Sequence, residues 1–328
     1  MHGDGALVKA FLEGQPRALA RAISRSEAGA GAQTMRALYG RTGRAMTIGF
    51  TGPPGVGKST LIGALIALVR RQAKTVGVVS VDPSSPFSHG AILGDRIRLA
   101  EHFTDTAVFI RSMASRGHLG GLAGATGDAV ALMDAFGKDV VIVETVGVGQ
   151  SEIEIAQLAD TTVVALQPGS GDSVQLLKAG ILEVADIFVV NKSDHPMALQ
   201  LRREIRSMLE MLEFPGWEPP VVSTQATQGG GVGELWDAIA AHRDYLVQSG
   251  ERTRKRRAAF LHQARQLAMG RMERRVDAAL GALDTEPVQE ADPYAAAERI
   301  VASVASSGEP APPAESPAAP LRATVKGL

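Results

Sequence analysis

The stretch Gly52-Pro53-Pro54-Gly55-Val56-Gly57-Lys58-Ser59-Thr60 carries the residue types that hold phosphate, at the spacing G-x-x-x-x-G-K-[ST]. Glycines let a backbone curl until successive N–H groups point inward at phosphate oxygens. Lys58 is placed to reach the β- and γ-phosphates, and the Ser59 hydroxyl to ligate Mg²⁺. An apolar run at 46–50 predicts the strand that feeds this loop, and a helix is expected from Lys58 to about Arg71. Its N-terminus adds partial positive charge at the same spot. This context implies a bound nucleoside triphosphate.

The base is read much further along, at Asn191-Lys192-Ser193-Asp194. Residues 185–190 read as a buried strand, so the N-K-x-D tetrad falls at a carboxyl end, where open α/β sheets bind ligands. Asp194 can accept both N1–H and the exocyclic amine of guanine. Adenine presents an acceptor at N1 and leaves a carboxylate unpaired there, a mismatch of several kcal/mol when buried. By itself N-K-x-D is also a polar strand end, but after a phosphate loop it favours GTP over ATP.

Between these anchors lie candidates for the metal and the γ-phosphate. The run 75–81 predicts a strand ending in Asp82, and 140–143 one ending in Glu144-Thr145-Val146-Gly147. Either carboxylate can orient Mg²⁺ waters, while the Gly147 N–H can meet the γ-phosphate. Asp95 is a third candidate, weighed against a helix N-cap or surface acid. Regulatory GTPases mostly carry Asp-x-x-Gly where this chain has Glu144, and Ras-like proteins place a glutamine where Val148 stands. Gln150 lies two residues further, so the Ras hydrolytic apparatus does not transfer directly.

Several segments together resemble the MeaB-type GTPases, which include chaperones of adenosylcobalamin-dependent acyl-CoA mutases and relatives once labelled lysine/arginine/ornithine transport ATPases. They are Val81-Asp82-Pro83-Ser84-Ser85-Pro86, Gly90-Ala91-Ile92-Leu93-Gly94-Asp95-Arg96-Ile97-Arg98, Gln167-Pro168-Gly169-Ser170-Gly171-Asp172 and the guanine tetrad. The most discriminating is Glu144-Thr145-Val146-Gly147-Val148-Gly149-Gln150-Ser151-Glu152. The resemblance covers roughly residues 5–305. It implies that Ser59, Asp82, Asp95 and Glu144 surround Mg²⁺, that Lys58 and the loop glycines hold phosphates, and that Asn191, Lys192 and Asp194 hold guanine. It also implies a switch region over 169–178, with Asp172, Gln175 and Lys178 coupling nucleotide state to a partner. Their alternative is the solvated start of an amphipathic helix. Arg98 resembles an arginine near the nucleotide that could neutralise transition-state charge, against an ordinary surface ion pair.

Two departures bear on partner and base. Many guanine sites have Ser-Ala after the last strand, whereas this chain has Gln225-Ala226; the Ala226 N–H could still reach guanine O6. The Gly-rich stretch 111–121 differs from the Pro-Ser-rich form associated with methylmalonyl-CoA mutase partners. An isobutyryl- or 2-hydroxyisobutyryl-CoA mutase therefore stands beside the methylmalonyl-CoA enzyme.

The expected fold is a doubly wound, mostly parallel α/β sheet of the P-loop GTPase type, with an N-terminal helical extension and a C-terminal helical arm for dimerisation. The expected parts are the extension (1–43), the GTPase domain (44–249), the arm (250–305) and a disordered Pro/Ala/Ser/Glu tail (306–328). Two N-terminal helices are expected to pack on the core, further strands near 106–110, 161–167 and 220–223, and late helices at 234–247, 253–283 and 292–304. On 253–283 the apolar stripe Phe260, Leu261, Leu267, Met269, Met272, Val276 and Leu280 needs a surface to pack on, and the resemblance implies a homodimer. The basic run Arg252, Arg254, Lys255, Arg256 and Arg257 reads as the solvated start of that helix, rather than a seat for an acidic partner.

A formal net charge of −1 gives no electrostatic case for nucleic acid or a membrane surface. Zero cysteines exclude disulfides and thiolate metal sites, and fit a reducing compartment. No run reaches the roughly 18 apolar residues of a membrane span, and no charged-then-apolar signal opens the chain, so a soluble cytoplasmic protein is expected. Some related GTPases deliver nickel, but the 7 histidines, His89 and His118 among them, form no tract. Metal delivery is the alternative function, and an ATPase energising amino-acid transport a weaker one, disfavoured by the guanine tetrad. The preferred reading is a slow GTPase switch, with GTP ordering loops at 82–98, 144–152 and 169–178 to gate or protect a mutase.

Overall fold

A computed structural model gives the arrangement of residues 2–83, 99–115, 123–145, 151–170, 181–283 and 292–306. Three helices come first: α1 (His2–Leu12), α2 (Pro16–Glu27) and α3 (Ala32–Leu38). Strands and further helices follow. These are β1 (Met46–Thr51), α4 (Lys58–Arg71), β2 (Val76–Pro83), β3 (Val108–Ser115), α5 (Ala123–Ala135), β4 (Val140–Thr145), α6 (Ser151–Leu158) and β5 (Thr161–Leu166). They continue with β6 (Ile187–Val190), α7 (Ala198–Leu209), β7 (Val221–Ser223) and α8 (Val232–Gln248). The long α9 (Glu251–Leu283) and α10 (Pro293–Ser306) close the described chain.

Among the described residues, seven strands form one sheet in the order β3-β2-β4-β1-β5-β6-β7, with every pairing between them parallel. Parallel strands carry helices on both faces, so they read as unbroken apolar runs. Accordingly every residue of β1, β4, β5 and β6 is buried. One face packs Ile48, Phe50 and Ile142 against Leu61 and Leu65 of α4 and Trp236 and Ile239 of α8. The other packs Val79, Val141 and Val143 against Met133 of α5, Ile155 of α6, and Phe11, Leu19 and Ile23 of the N-terminal helices. A third cluster joins β5 and β6 to Leu201 and Ile205 of α7. Those N-terminal side chains are almost wholly buried, so the helices complete a layer of the core. The described helices number one more than expected at this end, because α3 follows the expected pair.

The chain divides into two compact units, Met1–Gln266 and Leu267–Leu328. In the second, Asp292 caps α10 by accepting from the N–H groups of Tyr294 and Ala295 at 2.8 and 3.0 Å, with Pro293 opening the helix.

The basic start of α9 differs from the expected solvated face. Arg256 forks onto Asp160 at 2.9 and 2.7 Å and also donates to the Ala45 and Gly43 carbonyls. Lys255 donates to both carboxylate oxygens of Asp186 at 3.0 and 2.9 Å. Arg252 reaches the Ala45 carbonyl at 3.3 Å. Asp160 and Asp186 immediately precede β5 and β6, so the amino ends of neighbouring strands supply counter-charge that local sequence around residue 255 does not reveal. Arg254 and Arg257 stay local: Arg254 bonds Glu251, and Arg257 lies over the Phe260 ring.

Candidate functional site

With β1 at the centre of the sheet, flanked by β4 and β5, the carboxyl ends of these strands frame the crevice in which open parallel sheets hold ligands. The phosphate loop leaves β1 at Thr51 and enters α4 at Lys58. Gly52 has φ +139°, and a Cβ there would lie 2.0 Å from the Ala165 carbonyl oxygen of β5. Gly57 has φ +91°, and its Cβ would meet Asn191 Nδ2 at 2.7 Å. Only glycine satisfies both the left-handed backbone and the close approach. These two positions set the loop's course.

Lys58 is buried, and its ammonium donates to the Gly52 and Pro53 carbonyls at 2.7 and 3.0 Å, bridging the start of the loop. The next side chain, Ser59, donates its hydroxyl to Glu144 Oε1 at 2.8 Å. Both residues are buried. Glu144 reaches this point because β4 lies beside β1, with Glu144 in register with Phe50 on one side and Ser80 of β2 on the other. A hydroxyl and a carboxylate oxygen next to a cationic phosphate loop form a hard oxygen donor set of the kind Mg²⁺ prefers. Asp82 lies near the end of β2, in register with Ala114 of β3.

On the other side, Asn191 ties the tetrad to two loops. Its Nδ2 donates to the Val56 carbonyl at 2.8 Å. Its Oδ1 accepts from the Thr224 hydroxyl at 3.0 Å and from the Ala226 N–H at 3.3 Å. Lys192 adopts φ +55°, and its ammonium donates to the Gly55 carbonyl at 3.0 Å and to Gln167 Oε1 at 2.6 Å. Ser193 N–H donates to the Thr224 carbonyl at 3.0 Å. Asp194, the last residue of the tetrad, is exposed. Gln225 and Gly230 exchange backbone hydrogen bonds of 2.9 and 3.2 Å, which hold the turn bearing Ala226.

The fold therefore assembles Gly52, Pro53, Pro54, Gly55, Val56, Gly57, Lys58, Ser59, Thr60, Glu144, Asn191, Lys192, Asp194, Gln225 and Ala226 around the carboxyl ends of β1, β4, β6 and β7. Asp95, Arg98, Gly147, Asp172, Gln175 and Lys178 lie outside the described residues, as do His89 and His118. Two further contributors, Thr224 and Gln167, were not singled out as site residues by the sequence. Thr224 reaches Asn191 through a side-chain contact across 33 positions, and Gln167 reaches Lys192 across 25. No motif marks either pairing.

A separate cavity of about 410 Å³, lined by Trp217, His242 and Tyr245, opens at the amino ends of the strands, beside Asp186. His242 is buried there between Thr161 Oγ1 at 2.9 Å and Asp186 Oδ1 at 3.3 Å. Burial lowers its pKa to about 4, outweighing the opposing pull of Asp186. It lies at the opposite end of the sheet from the phosphate loop.

A parallel sheet with a phosphate loop between β1 and α4 and an N-K-x-D tetrad after β6 defines a P-loop GTPase. The family model described as methylmalonyl-CoA mutase-associated GTPase MeaB matches residues 18–280. The chain belongs to that family. A Pyrococcus abyssi protein, a GTPase by name, is 44% identical over 314 residues, spanning 92% of this chain and 97% of the relative. The mouse mitochondrial methylmalonic aciduria type A homolog is 39% identical over 214 residues, covering 64% of this chain and 52% of its own length. The solved structure of a LAO/AO transport system kinase superposes with a TM-score of 0.69 at 27% identity, covering 93% of this chain and 98% of the other. Among the described residues, no helix is long and apolar enough to cross a membrane.

Proposed function

We propose that this GTPase is a nucleotide switch that gates cofactor loading of an adenosylcobalamin-dependent acyl-CoA mutase, or protects that mutase from inactivation. The observation that carries the proposal is the match to a family described by its association with methylmalonyl-CoA mutase, which runs over residues 18–280. The mouse relative's name, which refers to methylmalonic aciduria, agrees with it.

In this reading Lys58 and the loop N–H groups bind the phosphates of GTP. Ser59 and Glu144, with Asp82 and Asp95, hold Mg²⁺, and the buried oxygen pair at 2.8 Å supports that role. Mg²⁺ supplies neutralisation of the β- and γ-phosphate charge. Gly147 donates to the γ-phosphate, while Arg98 and Lys178 add charge stabilisation. Asn191, Lys192 and Asp194 read guanine, with Gln225 and Ala226 completing the base pocket. Asn191 fixes the Ala226 N–H beside the tetrad, which supports that pocket.

A homodimer through α9 belongs to the same proposal. Met269, Met272 and Leu280 are exposed on one side of that helix, and an apolar row in water favours a partner surface. A cytoplasmic setting fits a chain without cysteine.

The test is complex formation with purified methylmalonyl-, isobutyryl- and 2-hydroxyisobutyryl-CoA mutases, followed by size exclusion with GDP or a non-hydrolysable GTP analogue. A complex with one mutase whose stability depends on the nucleotide is expected. Absence of any complex in either nucleotide state would overturn the mutase role and turn attention to metal delivery.

A further inference from the structure

We propose that Gln167 is a positioning residue for nucleotide binding: it fixes the Lys192 ammonium so that the lysine stem spans from the guanine tetrad to the phosphate loop. The inference rests on the guanine-site reading given above and extends it to a residue outside both motifs.

A lysine side chain carries about 2 kcal/mol of rotamer entropy, and an exposed one is ordinarily mobile. Lys192 is exposed, yet its ammonium is shared between the Gly55 carbonyl at 3.0 Å and Gln167 Oε1 at 2.6 Å. Its backbone sits at φ +55°, a conformation costly for a residue with a Cβ. The flanking bonds from Ser193 N–H to the Thr224 carbonyl and from His195 N–H to the Lys192 carbonyl, both 3.0 Å, hold that geometry. The strained backbone sends the stem back toward the phosphate loop instead of into water. Four methylenes then wall the space between tetrad and loop, where a base joined to phosphates must lie.

Gln167 is suited to hold the far end because its backbone is fixed. It directly follows β5, which pairs with β1 before the phosphate loop and with β6 before the tetrad. The ladder continues past the strand, since Asn191 N–H donates to the Leu166 carbonyl at 2.9 Å. The amide oxygen therefore sits on the strand between the two loops that Lys192 joins. A neutral acceptor facing an ammonium makes a charge-assisted bond, roughly twice as strong as a neutral one. Its loss leaves the ammonium on the Gly55 carbonyl alone, loosens the stem and accelerates nucleotide escape.

The experiment measures the release rate of a fluorescent GDP from the full-length wild type, Gln167→Met, Lys192→Met and the double variant, each with its thermal midpoint. Gln167→Met is expected to release GDP about tenfold faster at an unchanged midpoint. On the Lys192→Met background the same change should add less than about twofold, because the two residues act through one bond. Wild-type release from Gln167→Met, or full additivity in the double variant, would overturn the inference. Failure of the wild type to bind GDP would instead overturn the guanine reading on which it rests.

Discussion

The Ser59 hydroxyl donates to Glu144 Oε1 at 2.8 Å, joining residues 85 positions apart. One sits in the first turn of the helix that follows the phosphate loop, and the other near the tip of the neighbouring strand. A glutamate is one methylene longer than the aspartate common among regulatory GTPases, and from β4 it extends to the serine directly.

Glu144→Ala removes the carboxylate from this pair. GTP turnover in saturating Mg²⁺ is expected to fall about 100-fold, while GDP binding in EDTA changes by less than about threefold. Parallel turnover and binding titrations check this. Equal losses in both would assign Glu144 to folding of the loop.

Asn191→Ala leaves the Val56 carbonyl, the Thr224 hydroxyl and the Ala226 N–H without that shared partner. A loss of about 2–3 kcal/mol in unfolding free energy is expected even without nucleotide, because buried polar groups are left unsatisfied. Urea unfolding of the nucleotide-free protein measures it.

Much of this architecture is legible in the sequence, and the exceptions have physical causes. β1, β4, β5 and β6 stand out because a parallel strand buried on both faces is an unbroken apolar run. The phosphate loop and tetrad stand out because their spacing is fixed by the nucleotide. Helix α5 is hidden: from Ala125 to Ala135 every side chain is buried or half-buried, so no exposed polar face marks a period. The basic run at 252–257 misleads because its counter-charges, Asp160 and Asp186, lie far back in the chain. Gln167 and Thr224 are invisible for a related reason. Their roles exist only once β5, β6 and β7 are neighbours.

Arg256→Ala strips a buried aspartate of its forked partner, since Asp160 is 5% exposed. Destabilisation of about 3 kcal/mol is expected. Lysine should recover less than half, because it cannot reproduce the fork onto Asp160 together with the Ala45 carbonyl. Equilibrium unfolding of both variants decides this, and a change under about 0.5 kcal/mol for alanine would show the clamp to be incidental.

His242 makes stability depend on pH. Its folded pKa is about 4 against 6.5 unfolded, chiefly through burial, with Asp186 and Asp160 pulling it up and Lys255 pushing it down. The unfolded chain therefore binds the proton first. Stability is full above 6.5 and declines as pH falls toward 4, by about 2 kcal/mol at pH 5. Denaturant unfolding at pH 7.5 and 5 measures the decline, and His242→Gln should remove most of that difference.

The most direct test of the central claim is GTP turnover by the purified protein, alone and with each adenosylcobalamin-dependent acyl-CoA mutase in turn. At least tenfold stimulation by one of them is the predicted result. Unchanged basal turnover with every mutase would contradict the chaperone role while leaving the GTPase chemistry intact.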